Sequence, residues 1–402
     1  MGEEYAKYAE LRLGRWISGR GAMRFLPTLG KKRIAVIYDG GVLTEAAREK
    51  LRQPLAAAGA EVRFIADIRH EPGFQDIRAA LAALGDFQPD LFAAVGGGSV
   101  LDIAKAVWLF YENPGLPFAD SFKPFQLPGG SGKSEIAAIP TTSGTGSETT
   151  CCAVFTDEET RQKRLILGYN IVPAYAILDP DFTDTLPDSI AAHTGMDALA
   201  HAIEAAVCKA SSPIVVSLAL GAACDLLENL PVSVNAPPGS REKRAARDLC
   251  HYAAAIAGAA INNSSAGLVH ALDQPGPYFN LPHGLVCGLL LPYATAAHSP
   301  HPLYATLARR LGRQGDETDL CVQLADCLWD LNAAVGIPRS FQALGIDEAE
   351  FFRQLPNFAG AVENSMAANL APREVTPASA AAILRAAYYG QKPTVPPTLA
   401  NT

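Results

Sequence analysis

The sequence predicts two domains, an α/β N-terminal half built on a parallel sheet and an all-α C-terminal half. Three observations carry this. At 402 residues the chain is too long for one ordinary hydrophobic core. From Lys31, strand-like and helix-like segments alternate, as they do in a parallel sheet with crossover helices. After Pro187 the alternation gives way to Ala/Leu-rich helical segments that run to the end. The boundary is read near residue 184, which gives domains 1–183 and 184–402.

Taken in order, Ile34 to Tyr38 is a continuous apolar run of the kind buried on both faces of a parallel sheet, and it ends at Asp39-Gly40-Gly41. A helix-like segment follows to about Ala58, then a strand from Glu61 to Ile65 and a helix from Phe74 to Leu84. The next strand, Leu91 to Val95, runs directly into Gly96-Gly97-Gly98-Ser99. Beyond it Val100, Ile103, Ala104 and Val107 fall at helical spacing, so the glycines occupy a strand-to-helix turn. Ile136 to Ile139 is a short strand before Pro140 to Glu148, a segment dense in small hydroxylated residues, and Ala176 to Leu178 is the last sheet element. Asp188 or Ser189 is placed to cap the first helix of the second half. A helical run from near Leu249 is read as ending at His270, and His283 follows a loop rich in Pro and Gly. Gln391 to Thr402 reads as a loose tail.

Composition narrows the function classes. A formal charge of −8 argues against nucleic acid as a partner, since no broad basic face offsets phosphate repulsion. None of the eight cysteines forms a C-x-x-C pair, so they read as reduced, mostly buried thiols rather than a disulfide framework or a structural zinc site. The charged start, Met1-Gly2-Glu3-Glu4-Tyr5, has no apolar core of a signal peptide. No apolar run is read as long enough to span a bilayer, Leu285 to Pro292 being the most apolar. These features lead us to expect a cytoplasmic protein with no membrane partner.

Four stretches carry chemistry. Asp197 and His201 lie four apart in a helical segment, one turn above each other on one face. If His270 and His283 reach the same point, one carboxylate and three imidazoles make a nitrogen/oxygen site for a borderline divalent metal. Taken singly, such an Asp/His pair is more often an exposed pair, and each later histidine more often a structural one. A triple glycine between a buried strand and a helix lets backbone N–H groups approach an anion such as a pyrophosphate, although such a turn serves structure alone as often. Asp39, at the end of a strong strand, is placed to accept both hydroxyls of a ribose or simply to begin a turn. Hydroxyls between Thr141 and Ser147 are donors for phosphates or a ribose, or only a loop.

Together, Gly96 to Lys105, Pro140 to Glu148, Gly195 to Glu204, and Gly267 to His270 with Leu281 to Gly284 resemble the iron-containing alcohol dehydrogenase family. The resemblance runs in register from about residue 12 to about residue 390. It implies a Rossmann-like NAD-binding N-terminal domain, a helical metal-binding C-terminal domain, and an active site in the cleft between them. Carried over residue by residue, it implies Asp197, His201, His270 and His283 as ligands of Fe2+, with Zn2+ or another divalent metal as substitutes. Cofactor contacts would come from Asp39, Gly97, Gly98, Ser99, Thr141, Thr142, Ser147, Lys163 and Leu178. An acidic residue at 39 favours NAD(H), because a 2′-phosphate would meet a carboxylate. The chain departs from the family at Gln274, four residues after His270, where many members carry a histidine that relays a proton. Glutamine does not titrate near neutrality.

The activity implied is hydride transfer between NAD(H) and a small alcohol or aldehyde whose oxygen binds the metal, by a homodimer or larger homo-oligomer. Other chemistry on a similar scaffold, as in maleylacetate reductases or the dehydroquinate synthases, is the alternative. The second of these needs basic side chains for a substrate phosphate, and the segments around Asp197, His270 and His283 are nearly free of them.

Overall fold

In this computed structural model, residues 10–70, 72–156 and 163–395 are described. They divide into two compact units, one spanning Leu13–Pro187 and the other formed by the chain from Asp188 with the short stretch ending at Arg12.

The first unit is a parallel sheet of six strands: β1 (Arg15–Ser18), β2 (Arg33–Tyr38), β3 (Glu61–Asp67), β4 (Leu91–Gly96), β5 (Glu135–Pro140) and, after the β6–β7 hairpin (Cys152–Thr156, Lys163–Leu167), β8 (Tyr175–Leu178). The order across the sheet is β1-β8-β5-β4-β2-β3. Crossovers are made by α1 (Glu45–Ala57), α2 (Phe74–Leu84) and α3 (Gly98–Glu112). Period-two alternation buries both faces. Ala35, Ile37, Phe92 and Ala94 pack with α2 and α3 on one side, while Ile34, Val36, Leu91 and Ala93 pack with Leu51 and Leu55 of α1 on the other. The chain runs from β2 outward to β3, then returns to the other side of β2 to form β4. The carboxyl ends of β2 and β4 therefore flank the point where the winding reverses, the position at which open α/β sheets receive ligands.

Two elements here escape the sequence pattern. β1 is four residues long on the sheet edge, too short to show a period. The β6–β7 hairpin forms because α3 reaches under it: Lys105 Nζ donates to the Thr150 and Cys152 carbonyls at 2.9 and 2.7 Å, and Asp102 accepts from Val154 N at 2.9 Å and Ser147 Oγ at 2.6 Å. Both side chains are buried. Burial raises the Asp102 pKa against the pull of Lys105 and its two donors, and lowers that of Lys105 against the pull of Asp102.

The second unit is helical: α4 (Asp188–Val207), α5 (Pro213–Asn235), α6 (Arg241–Asn262), α7 (Leu268–Leu272), α8 (Pro275–Tyr278), α9 (His283–Ala297), α10 (Pro302–Arg310), α11 (Glu317–Ala334), α12 (Glu348–Gly360), α13 (Met366–Asn369) and α14 (Pro377–Tyr389). The long run read toward His270 is broken: α6 stops at Asn262, and His270 sits on the separate short α7, because the Asn/Ser/Gly segment between them competes for backbone hydrogen bonds. By length and composition α5 is apolar enough to cross a membrane, which corrects the reading that no run is; it packs along α4 and α6, as a core helix does. Lys243 Nζ and Arg247 Nη2, both buried on α6, each lie 2.7 Å from Asp188 Oδ1 and fasten the first turn of α4.

Asp102→Ala strips buried donors at residues 147 and 154 of their acceptor and leaves Lys105 uncompensated, so it should lower stability by about 3–5 kcal/mol. Chemical denaturation followed by circular dichroism measures this, and a loss below 1 kcal/mol would contradict the role given to Asp102.

Candidate functional site

α4 presents Asp197 and His201 one turn apart, with Glu204 a further turn along the same face. His270 comes from α7, and His283 is the first residue of α9. The start of α9 presses on α4 so closely that a Cβ on Gly284 would lie 2.1 Å from the His193 carbonyl oxygen. The imidazole Nε2 atoms of His283, His270 and His201 lie 3.4, 3.6 and 3.7 Å from one atom, Asp197 Oδ1. The rings of His201 and His270 stack with centroids 4.8 Å apart.

These separations exceed hydrogen-bond length, and Asp197 Oδ1 and His270 Nε2 are buried with no hydrogen-bond partner. Groups of this kind are costly to bury unpaired. A divalent ion with bonds of about 2.0–2.2 Å places neighbouring donors roughly 3.4 Å apart, so the spacing suits donors that share a cation.

Carboxylates on the outer side orient two of the rings. His270 Nδ1 donates to Glu204 Oε2 at 2.5 Å, while Glu204 Oε1 accepts from Val269 N at 2.6 Å. His283 Nδ1 donates to Asp273. A proton held on Nδ1 leaves the Nε2 lone pair free to face Asp197. Burial would raise the Asp197 pKa, but the imidazoles of His201, His283 and His270 hold it well below the usual carboxylate range. Burial pushes His201 down to about 4 despite Asp197, so it is neutral at physiological pH. At His270 burial is outweighed by Glu204 and Asp197, and its pKa rises to about 10. A cation therefore competes with a proton for that Nε2.

Sequence reasoning missed three residues here. Glu204 stands inside a motif quoted for Asp197 and His201, at a spacing that puts it on their face. Asp273 precedes Gln274 and carried no pattern. Cys287, read only as a buried thiol, is one turn after His283, with its Sγ 3.6 Å from His283 Nε2, and groups with Asp197, His270 and His283 as a possible metal donor. Gln274 is the N-cap residue before α8 and donates to the Ala271 carbonyl at 3.3 Å, so its amide is engaged locally.

In the α/β unit, Asp39 follows β2 and Gly97 caps α3 after β4; Asp39 N donates to the Val95 carbonyl at 3.0 Å, which joins the two strand ends. Gly98 and Ser99 form the first turn of α3, whose N–H groups have no helical acceptor. Thr141 N donates to the Gly96 carbonyl at 3.0 Å, and Thr142 reaches to 3.4 Å from where a Cβ on Gly97 would be. A Cβ on Gly98 would lie 2.8 Å from Thr145 Cγ2, so the glycine keeps this turn open. Ser147 gives its hydroxyl to Asp102. Leu178 ends β8, beside β5, with its backbone bonded to Gly19, and Lys163 opens β7 on the separate hairpin. The structure thus brings Asp39, Gly97, Gly98, Ser99, Thr141 and Thr142 to one end of the sheet. A glycine cradle beneath a free helix N-terminus fits a pyrophosphate.

A family model described as "Iron-containing alcohol dehydrogenase" matches residues 14–180, and one described as "Fe-containing alcohol dehydrogenase family, C-terminal" matches residues 191–388. The NADPH-dependent butanol dehydrogenase of Clostridium saccharobutylicum is 34% identical over 377 residues, 92% of this chain and 96% of the relative. The iron-containing alcohol dehydrogenase structure from Thermococcus thioreducens superposes with a TM-score of 0.86 at 31% identity, covering 96% of this chain and 100% of that one. The structure of sulfoacetaldehyde reductase from Bifidobacterium kashiwanohense in complex with NAD+ gives 0.81 at 26% identity, covering 95% and 98%.

Glu204→Gln and Asp273→Asn should each weaken binding of a divalent cation by about 10–100-fold with the fold retained. Zinc titration against a competing chelator measures this, and unchanged affinity in both variants would show that the outer carboxylates do not orient the rings.

Proposed function

The chain belongs to the iron-containing alcohol dehydrogenase family, and we propose that it transfers hydride between NAD(H) and a small alcohol or aldehyde at a ferrous site formed by Asp197, His201, His270 and His283. The observation that carries this reading is the approach of three imidazole Nε2 atoms to within 3.4–3.7 Å of Asp197 Oδ1. A divalent cation there supplies Lewis-acid polarisation of the substrate oxygen, and zinc, cobalt or manganese suits the same donors. The match of both family models to dehydrogenases weighs against the synthase alternative.

The chain's own residues divide the work. Asp197 contributes the one negative charge that faces all three imidazoles. Glu204 and Asp273 hold His270 and His283 in the tautomer that presents Nε2. Gly97, Gly98 and Ser99 present backbone N–H groups to the pyrophosphate, with Thr141 and Thr142 beside them, and the family resemblance adds Ser147, Lys163 and Leu178 to the dinucleotide contacts. Asp39 accepts the adenosine ribose hydroxyls, favouring NAD(H). Gln274, whose amide bonds the Ala271 carbonyl, does not titrate near neutrality, so it would not serve as the side-chain base for the alcohol proton. Relatives of both cofactor types support a nicotinamide dinucleotide: one is named NADPH-dependent and another is in complex with NAD+.

Oxidation of NADH over a panel of short, hydroxylated and acid-substituted aldehydes, with iron-loaded and zinc-loaded protein in parallel, tests the reading. His270→Ala and His283→Ala should each abolish metal-dependent turnover; near-normal activity and metal content in either would contradict the site. Asp39→Gly should shift the ratio of NADH to NADPH turnover toward NADPH, and an unchanged ratio would remove Asp39 from cofactor choice.

A further inference from the structure

The carboxyl end of β2 carries a cation that neither sheet packing nor the ribose contact of Asp39 uses. Arg69 follows β3, the edge strand beside β2, and its side chain lies back over the turn Asp39-Gly40-Gly41. A Cβ on Gly40 would come within 2.3 Å of Arg69 Nη2 and 2.4 Å of Asp67 Oδ2, so both side chains lie close over a turn that has no side chain of its own at residue 40. Asp67 ties the pieces together. Its Oδ1 accepts the Gly40 N–H at 2.7 Å, and its two oxygens accept Arg69 Nε at 3.0 Å each, with Arg69 Nη2 at 2.6 Å from Oδ2. On the other side of the turn, Asp39 Oδ1 accepts the Gly41 N–H at 2.7 Å.

Two carboxylates are therefore fixed by backbone donors around a guanidinium whose side chain is still 62% exposed. Arg69 meets Asp67 through Nε and Nη2, which leaves donors at Nη1 for a second anion. Arg48, 5.1 Å above the Tyr38 ring at the end of β2, is already paired with Glu45 and so leaves Arg69 as the guanidinium that faces the turn. This is not the plain acidic end that excludes a phosphorylated ribose. A 2′-phosphate carries more charge than either carboxylate and suits the planar fork of an arginine.

Resting on the dinucleotide reading of this turn, we propose that Arg69 is a second determinant of cofactor choice: its guanidinium pairs with a 2′-phosphate on the adenosine ribose, so that the chain binds NADP(H) as well as NAD(H). Asp39 disfavours the phosphorylated ribose, while Asp67 competes with it for Arg69. Selectivity is then a balance of three charges rather than the act of one aspartate.

Binding to the full chain is measured by calorimetry with NADH, NADPH and 2′,5′-ADP, without turnover. Wild type should bind both dinucleotides. Arg69→Gln should weaken NADPH and 2′,5′-ADP by about tenfold or more, the loss of one charge-assisted contact, and change NADH less than about twofold. Asp67→Asn, which keeps an acceptor for the Gly40 N–H, should strengthen NADPH. NADPH affinity unchanged in Arg69→Gln, or equal losses of NADH and NADPH, overturns the proposal while leaving the dinucleotide site standing. Failure of wild type to bind either dinucleotide overturns the site reading itself, and this inference with it.

Discussion

The structure depends on one buried carboxylate oxygen, Asp197 Oδ1, that faces three imidazole nitrogens and bonds to none of them. Holding it there requires a long helix, α4, embedded among α5, α6 and α9, with small residues where neighbours come close. Gly284 brings α9, and with it His283, against the backbone of α4. Lys243 and Arg247 fasten the first turn through Asp188, so the helix has little freedom to slide. An isolated carboxylate would not remain ionised in such a setting. The imidazoles around it reverse the effect of burial, and the site is arranged for charge rather than for packing.

The outer carboxylates alter the electrostatics that the four donors alone suggest. With Asp197 and three neutral imidazoles, a divalent cation would leave one positive charge. Glu204 and Asp273, buried against the far nitrogens of His270 and His283, add two negative charges within hydrogen-bond reach of the rings. Their nearest effect is on the donors: each draws on an Nδ1 proton and so fixes its ring with Nε2 turned toward Asp197. A cation at this point would be held by rings already turned toward it. His201, which has no partner at Nδ1, is the one imidazole without such an anchor.

The sequence made the regular parts legible, and physical reasons separate what it showed from what it did not. Phe74 to Leu84 and Leu91 to Val95 announce themselves because helices and buried strands with period-specific faces bury whole stripes at once. The edge strand β1 is too short to show a period, and the β6–β7 hairpin is specified by Asp102 and Lys105 from a helix some fifty residues away, which no local window contains. The same division holds at the site. Asp197 and His201 are readable as a helical pair, and their family motif brings in His270 and His283. Glu204, seven residues after Asp197, is accessible to the same helical argument. Asp273 is not, since its role arises only when α7 and α9 meet.

At the other site the topology does what a motif alone cannot. A glycine turn after a strand is ambiguous in sequence, because a tight strand-to-helix connection needs small residues whether or not a ligand binds. Placed between β2 and β4, where the winding reverses, it stands beside Asp39 and near the Thr141 to Ser147 segment, whose Ser147 hydroxyl α3 holds through Asp102. Position adds what composition lacks: the glycines leave helix N–H donors at the end of the sheet where open α/β folds receive ligands, and this is what favours reading the turn as an anion site.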